Sequence, residues 1–241
     1  MARPAIVRRL VLEQFMIKGS LHPVTKIIRQ TVSFFESLGF NVYEGPEIDT
    51  EWYNFDALNF PKDHPSRDIQ DTFWLTDGRL LRTQTSNSQV RYGKNRKPPI
   101  KVVVPGVCYR NEATDSRHET TFMQLEGLYI DKDVNLGQLL WILNQFYKNI
   151  YGSGTKIRFR PHYFPFTEPS IEFELKFGGK WFELGGAGMV HPKVIRNMGL
   201  DPDKYSGFAF GPGIERPIMI KYGINDIRLF RSGDLRFLKQ F

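Results

Sequence analysis

The 241-residue sequence contains a single cysteine, Cys108, and no long apolar run. One cysteine excludes an internal disulfide and a zinc site built from several thiolates, and it fits a reducing compartment. A membrane-spanning helix needs about 18 or more consecutive apolar residues, and no segment approaches that length. Internal repeats, low-complexity tracts and Gly/Ser linkers are also missing. These absences predict a globular, cytoplasmic protein without a membrane segment.

Charge and composition narrow the class of protein further. Lys and Arg number 33 against 26 Asp and Glu, which gives a net charge of +7 and a pI near 9.4. This excess fits a polyanionic partner such as nucleic acid or a nucleotide, although surplus surface lysine explains it equally well. Hydrophobic residues make up 41% of the chain and aromatic residues 14%. These fractions exclude a disordered chain and favour a core or pocket rich in rings.

The hydrophobic pattern predicts helices at both ends of the chain and short strands between them. Helices are expected at residues 22–39, 85–94, 136–151, 192–198 and 217–222. Strands are expected at residues 40–43, 80–83, 100–104, 107–110, 121–130, 156–161, 171–176, 181–185 and 208–210. Strands and helices do not alternate strictly, so the pattern predicts an α+β fold with a mostly antiparallel sheet flanked by helices.

Three segments carry side chains or turns that suit ligand binding. The first is GFNVYEGPE at 39–47, which by itself indicates only a helix end at the glycine and a turn at the proline. The second joins YRNE at 109–112 through a polar loop to FMQLEG at 122–127. The third is GFAFGPGIER at 207–216, where the glycines allow the backbone to approach a ligand closely.

Charged and polar side chains in the last two segments point to an anion and an ammonium group. Arg110 occupies a strand position where an apolar residue would pack, so it calls for an anionic partner. Gln124 and Glu126 lie on one face of the returning strand, which suits an ammonium or hydroxyl ligand. Arg216 begins a predicted helix, where the macrodipole adds to its attraction for phosphate. Taken singly, a salt-bridged surface hairpin and a tight turn explain these segments as well.

In this order, the three segments resemble the three signature motifs of the class II aminoacyl-tRNA synthetases. Longer stretches, among them HPVTKIIRQTVSFFESLGF, LLRTQTSNSQ, RPHYFPFTEPS and ELGGAGMVHP, resemble the alpha subunit of bacterial phenylalanyl-tRNA synthetase. The resemblance extends from about residue 19 to residue 241. It implies the class II catalytic fold, activation of L-phenylalanine with ATP to phenylalanyl-adenylate, and transfer to tRNA(Phe).

The resemblance also implies roles for the residues that hold ATP. Arg110 matches the arginine that bridges the amino-acid carboxylate and the α-phosphate, and Arg216 matches the one on the γ-phosphate. These two are the expected catalytic residues. Glu112 matches the acceptor of the adenine amino group, while Phe122 and Arg216 would enclose the adenine. Arg117 and His118 of the intervening loop would meet the leaving pyrophosphate. The expected ATP-binding residues are Arg110, Glu112, Arg117, His118, Phe122 and Arg216.

A second set is expected to bind phenylalanine. Phe164 and Phe166 alternate around a proline, so both rings should face one side of a strand and contact the substrate ring. Ala209 would leave room for that ring. The full set is Trp74, Gln84, Ser86, Gln124, Glu126, Phe164, Phe166 and Ala209. Gln84 stands where the family usually has His, and it can donate a hydrogen bond but not a charge. Glu168 matches the magnesium ligand of the family, and a hard carboxylate suits Mg²⁺.

The resemblance implies partners and a domain plan as well. Residues 19–241 are expected to form the catalytic domain, preceded by an amphipathic lead-in at residues 1–18 in place of the family's long coiled coil. Either a truncated chain or a naturally short form explains that difference. The expected partners are a beta subunit in an alpha2beta2 assembly, tRNA(Phe) and L-phenylalanine. Two alternatives stay open: a synthetase-like protein that binds RNA or a partner without catalysis, and an enzyme that activates an amino acid for a non-tRNA acceptor.

Overall fold

The computed structural model describes residues 19–241, so the predicted lead-in at residues 1–18 lies outside the described residues. Its helices are α1 Pro23–Ser37, α2 Glu51–Asn54, α3 Ser86–Gly93, α4 Leu136–Tyr151, α5 Pro192–Asn197, α6 Glu215–Tyr222 and α7 Leu235–Leu238. Its strands are β1 Asn41–Val42, β2 Ile48–Thr50, β3 Arg79–Leu81, β4 Ile100–Tyr109, β5 Thr121–Asp131, β6 Lys156–Phe164, β7 Thr167–Phe177, β8 Lys180–Val190 and β9 Ser206–Pro212. Short 3₁₀ helices occur at Asp56–Leu58, Pro65–Arg67 and Ile227–Phe230.

Seven of these strands form one sheet in the order β1-β4-β5-β9-β8-β7-β6, and β2 pairs with β3 in a small second sheet. Within the large sheet, β1 runs parallel to β4 and the other neighbours are antiparallel. This confirms the predicted α+β fold. Strand β9 lies between β5 and β8, with Gly127 opposite Phe210. The second and third motifs, distant in sequence, are therefore adjacent in the sheet.

The alternation of side chains along the strands separates two cores, one on each face of the sheet. On β4, Val103 belongs to the core with helices α1, α4 and α6, whereas Val102 and Val104 belong to the core with α3 and α5. On β9, Phe208 and Phe210 face the first core, and Ala209 faces the second. The sheet thus carries a mostly apolar layer on one face and the candidate site on the other.

Local sequence explains why α1 forms where it was predicted. Pro23 occupies the first turn, where the missing N–H is not needed, and the His22 ring accepts a hydrogen bond from Val24 N–H at 3.2 Å. Gly39 follows the helix with a φ of 79°, a left-handed value that glycine adopts without a Cβ penalty. Burial of each large apolar side chain, such as Phe35, contributes about 1.5–3 kcal/mol.

Several strands are longer than predicted. The expected strands at 100–104 and 107–110 are one strand, β4, because Pro105 and Gly106 stay in register opposite Leu125 and Gln124. The expected strand at 181–185 was also too short, because β8 continues to Val190. Among residues 19–241, no helix combines the length and the apolar character that spanning a bilayer requires.

Candidate active site

A cavity of about 700 Å³ lies on the α3 face of the sheet, above β5, β8 and β9. It brings together every predicted site residue except Trp74 and Glu168. The predicted residues that line it are Gln84, Ser86, Arg110, Glu112, Arg117, His118, Phe122, Gln124, Glu126, Phe164, Phe166, Ala209 and Arg216. Side chains from four sequence segments, 84–86, 110–126, 164–166 and 209–216, therefore converge on one space large enough for a small substrate and a nucleotide.

An acidic and amide wall forms one side of this cavity. Glu126 on β5 is buried, and it accepts hydrogen bonds from Ser86 Oγ and Gln89 Nε2, both at 2.5 Å. Its neighbour Gln124 accepts from the Thr85 N–H at 3.1 Å and donates to the Gly211 carbonyl at 3.2 Å. Burial raises the pKa of Glu126 to about 7. The wall therefore presents an amide and a carboxyl whose orientations are fixed by neighbours on other elements.

Gln89 is a site residue that the sequence reasoning missed. It lies three residues after Ser86 on α3, so both side chains leave the same helix face. That spacing was a signal in the sequence, because Ser86 had already been placed in the pocket. The two residues together fix both oxygens of Glu126.

An aromatic wall faces the cavity from the turn between β6 and β7. The rings of Phe164 and Phe166 are stacked, with centroids 5.7 Å apart and planes at 17°. Both rings are on one side, as predicted, but β6 ends at Phe164 and Phe166 belongs to the turn. The ring of Phe60 extends the stack, 5.7 Å from Phe166. A Cβ on Gly186 would lie 2.4 Å from the Phe164 ring, so glycine there allows that ring to lie against β8.

Cations occupy the other end of the cavity. Arg110 follows β4, and its guanidinium lies over the Phe122 ring, 4.8 Å from the centroid. Arg216 is exposed in the first turn of α6 and lines the cavity as well. The sequence paired Phe122 with Arg216 around the adenine, whereas the structure places Arg110 over the Phe122 ring. Two guanidinium groups at one end of a cavity suit a polyphosphate.

The polar loop between β4 and β5 is held in shape by Asp115. Its Oδ1 accepts the N–H groups of Arg117 at 2.6 Å and His118 at 2.8 Å, and the His118 ring lies 3.0 Å away. These hydrogen bonds lower the pKa of Asp115 to about 2. The Ile227 N–H donates to the Ser116 carbonyl at 3.0 Å and fastens the loop to the C-terminal segment. Arg117 and His118 thus reach the cavity from an ordered loop.

Glu215, the acidic residue of the third motif, joins α6 to β5. Its carboxylate accepts the Met123 N–H at 2.8 and 3.1 Å and lines the cavity from a buried position. Burial raises its pKa to about 7. The motif was visible in the sequence, but its spacing gave no indication that the glutamate would hold the neighbouring motif.

Two predicted residues lie elsewhere. The Trp74 Nε1–H donates to the Arg67 carbonyl at 3.2 Å, and its ring packs 6.5 Å from Phe55, beside the cavity rather than in its lining. Glu168 is on the surface, with a side chain 75% exposed and 3.5 Å from His191 Nε2. Within residues 19–241 there is no cluster of three or more acidic, histidine or cysteine side chains that would hold a metal ion unaided.

Gln84 lines the cavity and is anchored on one side. Its Nε2 donates to the Asn54 carbonyl at 3.1 Å, so the amide has a defined position despite carrying no charge. Asn54 in turn donates to Thr83 Oγ1 at 3.0 Å. The segment around α2 therefore supports this edge of the cavity.

Comparisons with known proteins agree with this geometry. Residues 10–241 match the family described as tRNA synthetases class II core domain (F). The chain is 53% identical to the phenylalanine–tRNA ligase alpha subunit of Proteus mirabilis, over 92% of this chain and 68% of that protein. It is also 53% identical to the subunit of the same name from Yersinia enterocolitica, over 94% of this chain and 69% of that protein.

A solved structure shares the fold at much lower sequence identity. The pyrrolysyl-tRNA synthetase of Desulfitobacterium hafniense matches with a TM-score of 0.72 and 17% identity, over 95% of this chain and 80% of that one. At that identity the likeness shows the fold alone. The family match and the two relatives confirm the resemblance seen in the motifs. The chain belongs to the class II aminoacyl-tRNA synthetases, in the family of phenylalanine–tRNA ligase alpha subunits.

Proposed function

We propose that this chain activates L-phenylalanine with ATP and transfers it to tRNA(Phe), as the alpha subunit of a heteromeric synthetase. The observation that carries this proposal is the cavity itself. An acid–amide wall and an aromatic wall meet there, with two arginines at the other end. These are the three groups needed to hold an ammonium, a benzyl ring and a polyphosphate together.

The amino acid would bind along the first two walls. Its ammonium group would lie against Gln124 and the carboxylate of Glu126, and Ser86 would keep that carboxylate oriented. Its ring would enter the space lined by Phe164, Phe166 and Ala209, where edge and face contacts between rings are favourable. Trp74 is outside the lining of this cavity, so we give it a supporting role beside Phe55 rather than a contact with substrate.

ATP would occupy the cationic end. The adenine would stack on Phe122, with Glu112 accepting from its amino group, and Arg110 would move from the Phe122 ring to the α-phosphate. A carboxylate oxygen of phenylalanine attacks the α-phosphorus as the bond to the pyrophosphate oxygen breaks. Preorganised cations stabilise the charge that develops in such a step, each by about 2.7–4 kcal/mol. The released pyrophosphate would leave past Arg216, Arg117 and His118, which all line the cavity.

The second step needs no nucleophile from the protein. A terminal ribose hydroxyl of tRNA would attack the carbonyl carbon of the adenylate, AMP would leave, and the hydroxyl proton would pass to the departing phosphate or to water. The chain's contribution is to hold the adenylate between its walls. Gln84, fixed by Asn54, is positioned to donate a hydrogen bond to the acyl or phosphate oxygen.

Two carboxylates of this chain would each hold a magnesium ion, one inside the cavity and one on the surface. Mg²⁺ commonly uses one or two carboxylates together with substrate phosphates, and when bound it neutralises phosphate charge. Glu183 lines the cavity and accepts no hydrogen bond from the side chains of residues 19–241, so its hard carboxylate fits that use. Glu168 fits a magnesium ion outside the cavity, where water or another subunit would complete the ligand shell.

Exchange of ATP with pyrophosphate separates the possible functions. The assay is run with each amino acid in turn, with and without a beta-type partner subunit, followed by charging of tRNA(Phe). We expect exchange with phenylalanine and charging of tRNA by the assembled alpha2beta2 enzyme in a cytoplasmic setting. Exchange without charging of tRNA would favour another acceptor. Binding of RNA without any exchange would favour a non-catalytic protein.

The two arginines provide the sharpest test of the site. Arg110→Ala and Arg216→Ala are each expected to abolish exchange without unfolding the protein, because both side chains face the cavity rather than the core. Arg79→Ala is a matched control, since that arginine pairs with Asp77 on the surface. Exchange within a few-fold of the wild type in either active-site variant would show that the site is misassigned.

A further inference from the structure

Arg82, which does not line the cavity, is a fully buried arginine with an exposed fraction of 2%. Its Nε donates to the Val107 carbonyl at 2.7 Å, and its Nη1 donates to the carbonyls of Gly45 and Pro46 at 3.0 and 3.4 Å. Within residues 19–241 its hydrogen-bond partners are all backbone carbonyls, and none is a carboxylate. Burying a cation without an ion pair costs free energy. A negative charge farther away would offset part of that cost.

The location of the guanidinium identifies that charge. A Cβ built on Gly106 would lie 2.2 Å from Arg82 Nη2 and 2.9 Å from Thr85 Cγ2, so the guanidinium fills the space that the glycine leaves open. Gly106 is opposite Gln124 in the β4–β5 register, and Val104 is opposite Glu126. Arg82 therefore lies on the cavity face of the sheet, directly behind the acid–amide wall.

The charged and titratable groups around Glu126 come from every element that packs there. Arg82 follows β3, Arg110 follows β4 and Cys108 is on β4, and Glu215 on α6 acts on Cys108. Burial opposes the ionised carboxylate, whereas the hydrogen bonds from Ser86 and Gln89 and then the charges of the two arginines favour it. Arg110 is exposed and is assigned above to ATP, whereas Arg82 is fixed and inaccessible to substrate. Arg82 is thus the permanent counter-charge of the wall, and Arg110 is a variable one.

We propose that Arg82 is a positioning residue that keeps Glu126 in its ionised, ammonium-accepting state by acting from behind the pocket wall. The inference rests on the proposed function, in which Glu126 receives the ammonium group of phenylalanine. It assigns to Arg82 no contact with the substrate. Its effect is therefore confined to the binding of the amino acid and to the pH range in which Glu126 titrates.

The test follows the pH dependence of the KM for phenylalanine in pyrophosphate exchange by the assembled enzyme. Arg82→Met removes the charge and is expected to move the midpoint to higher pH by about one unit, since a nearby opposite charge lowers a carboxyl pKa by about 1–3 units. Below both midpoints, the KM for phenylalanine then rises about tenfold. Arg82→Lys retains the charge and should move the midpoint less. The KM for ATP should stay close to the wild-type value in both.

Four further variants keep the result unambiguous. Gly106→Ala should displace the guanidinium and move the midpoint in the same direction, whereas Gly154→Ala, where a Cβ meets nothing within 4 Å, should not. Glu126→Gln should abolish the pH dependence, and Arg82→Met added to it should cause no further shift. If Arg82→Met does not fold, Gly106→Ala decides the question.

An unchanged midpoint in correctly folded Arg82→Met, or in Gly106→Ala, overturns the inference. So does a loss of activity that affects both substrates equally at every pH, because that is the signature of a structural role alone. Failure of the proposed function looks different. In that case Glu126→Gln itself would leave the KM for phenylalanine unchanged.

Discussion

We expect Ala209 to set the available depth of the proposed phenylalanine pocket. Its methyl group faces the cavity from β9, whereas Phe208 and Phe210 on either side point into the opposite core. Ala209→Gly is expected to raise the activation of para-chlorophenylalanine relative to phenylalanine by about tenfold, the usual effect of one methyl-sized change in an apolar pocket. Pyrophosphate exchange with both amino acids measures this ratio.

Wild-type protein and tyrosine complete that comparison. An apolar pocket rejects an added hydroxyl by only about a hundredfold, so the wild type should activate tyrosine weakly but measurably. No relative gain for the para-chloro analogue in Ala209→Gly would show that Ala209 does not border the para position of the substrate ring.

Glu215 makes stability depend on pH in an unusual direction for a carboxyl group. Burial raises its pKa to about 7, above the ordinary value of 4.5. Between these pH values the folded protein retains a proton that the unfolded chain has lost. The stability that Glu215 contributes through this proton is therefore complete below about pH 4.5, and it disappears as the pH rises through 7. Relative to the wild type, Glu215→Gln should therefore become more stable across this interval, by about 1.4 kcal/mol per unit of pKa difference.

Urea unfolding of both proteins at about pH 5 and about pH 8, on either side of the raised pKa, measures this effect. The amide that Glu215→Gln introduces still offers an oxygen to the Met123 N–H, so the hydrogen bond to β5 is preserved and the comparison isolates the titration. A difference in the free energy of unfolding that stays constant between the two pH values would contradict the assignment.

At the residue scale, alternation along a strand was a sound guide. It placed Gln124 and Glu126 on one face because strand geometry fixes that relation locally. Alternation could not reveal the contact of Gln89 with Glu126 or that of Glu215 with Met123. These pairs are 37 and 92 residues apart in the sequence. The sequence could not place Arg82 for the same reason, since only its contacts with Val107 and Gly106 on β4 show where its side chain ends.

Strand β8 forms part of the floor of the cavity through its glycines. A Cβ at Gly186 would lie 2.4 Å from the Phe164 ring, so Gly186→Ala should push that ring toward the substrate space. We expect a several-fold higher KM for phenylalanine, with little change in the KM for ATP. Gly154→Ala is the matched control, and equal kinetics in the two variants would mean that the Phe164 ring does not border the substrate.

The loop between β4 and β5 depends on Asp115 for its shape. Asp115→Ala removes the acceptor of the Arg117 and His118 N–H groups, so the loop should lose order and the KM for ATP should rise several-fold. Asp115→Asn is the control, because its amide oxygen still accepts both N–H groups. Similar KM values for ATP in the wild type, Asp115→Ala and Asp115→Asn would show that this loop does not contribute to ATP binding.

At the element scale, the ends of α4 were predictable and the end of β8 was not. Helix α4 starts and stops where predicted because Asn135 and Gln138 form a capping box and Gly152 ends the helix, all of them local signals. The glycines of β8 lie at and beyond the predicted end of that strand. They continue the strand because β9 and the Phe164 ring approach too closely for a side chain, as the 2.8 Å between a Cβ on Gly185 and Pro212 Cα shows.

The whole chain is expected to need a partner for full activity. Large apolar side chains stay exposed at several places on its surface, among them Ile69 at 69% and Trp141 at 56%. Exposed apolar surface of this kind drives association when it is contiguous. We expect the isolated chain to self-associate and to be nearly inactive in aminoacylation until a beta-type subunit is added. Sedimentation and charging assays together check this, and a well-behaved, fully active monomer would be incompatible with it.

The insertion of β9 between β5 and β8 has a consequence for the order in which the molecule is made. Strands β4 and β5 form one half of the sheet by local pairing, and β6, β7 and β8 form the other. Until residues 206–212 are synthesised, the two halves have open edges that face each other, and such edges invite pairing with other chains. A ribosome-bound chain therefore has no complete active site until β9 and Arg216 have emerged, because the strand that unites both halves is synthesised after all the others in the sheet.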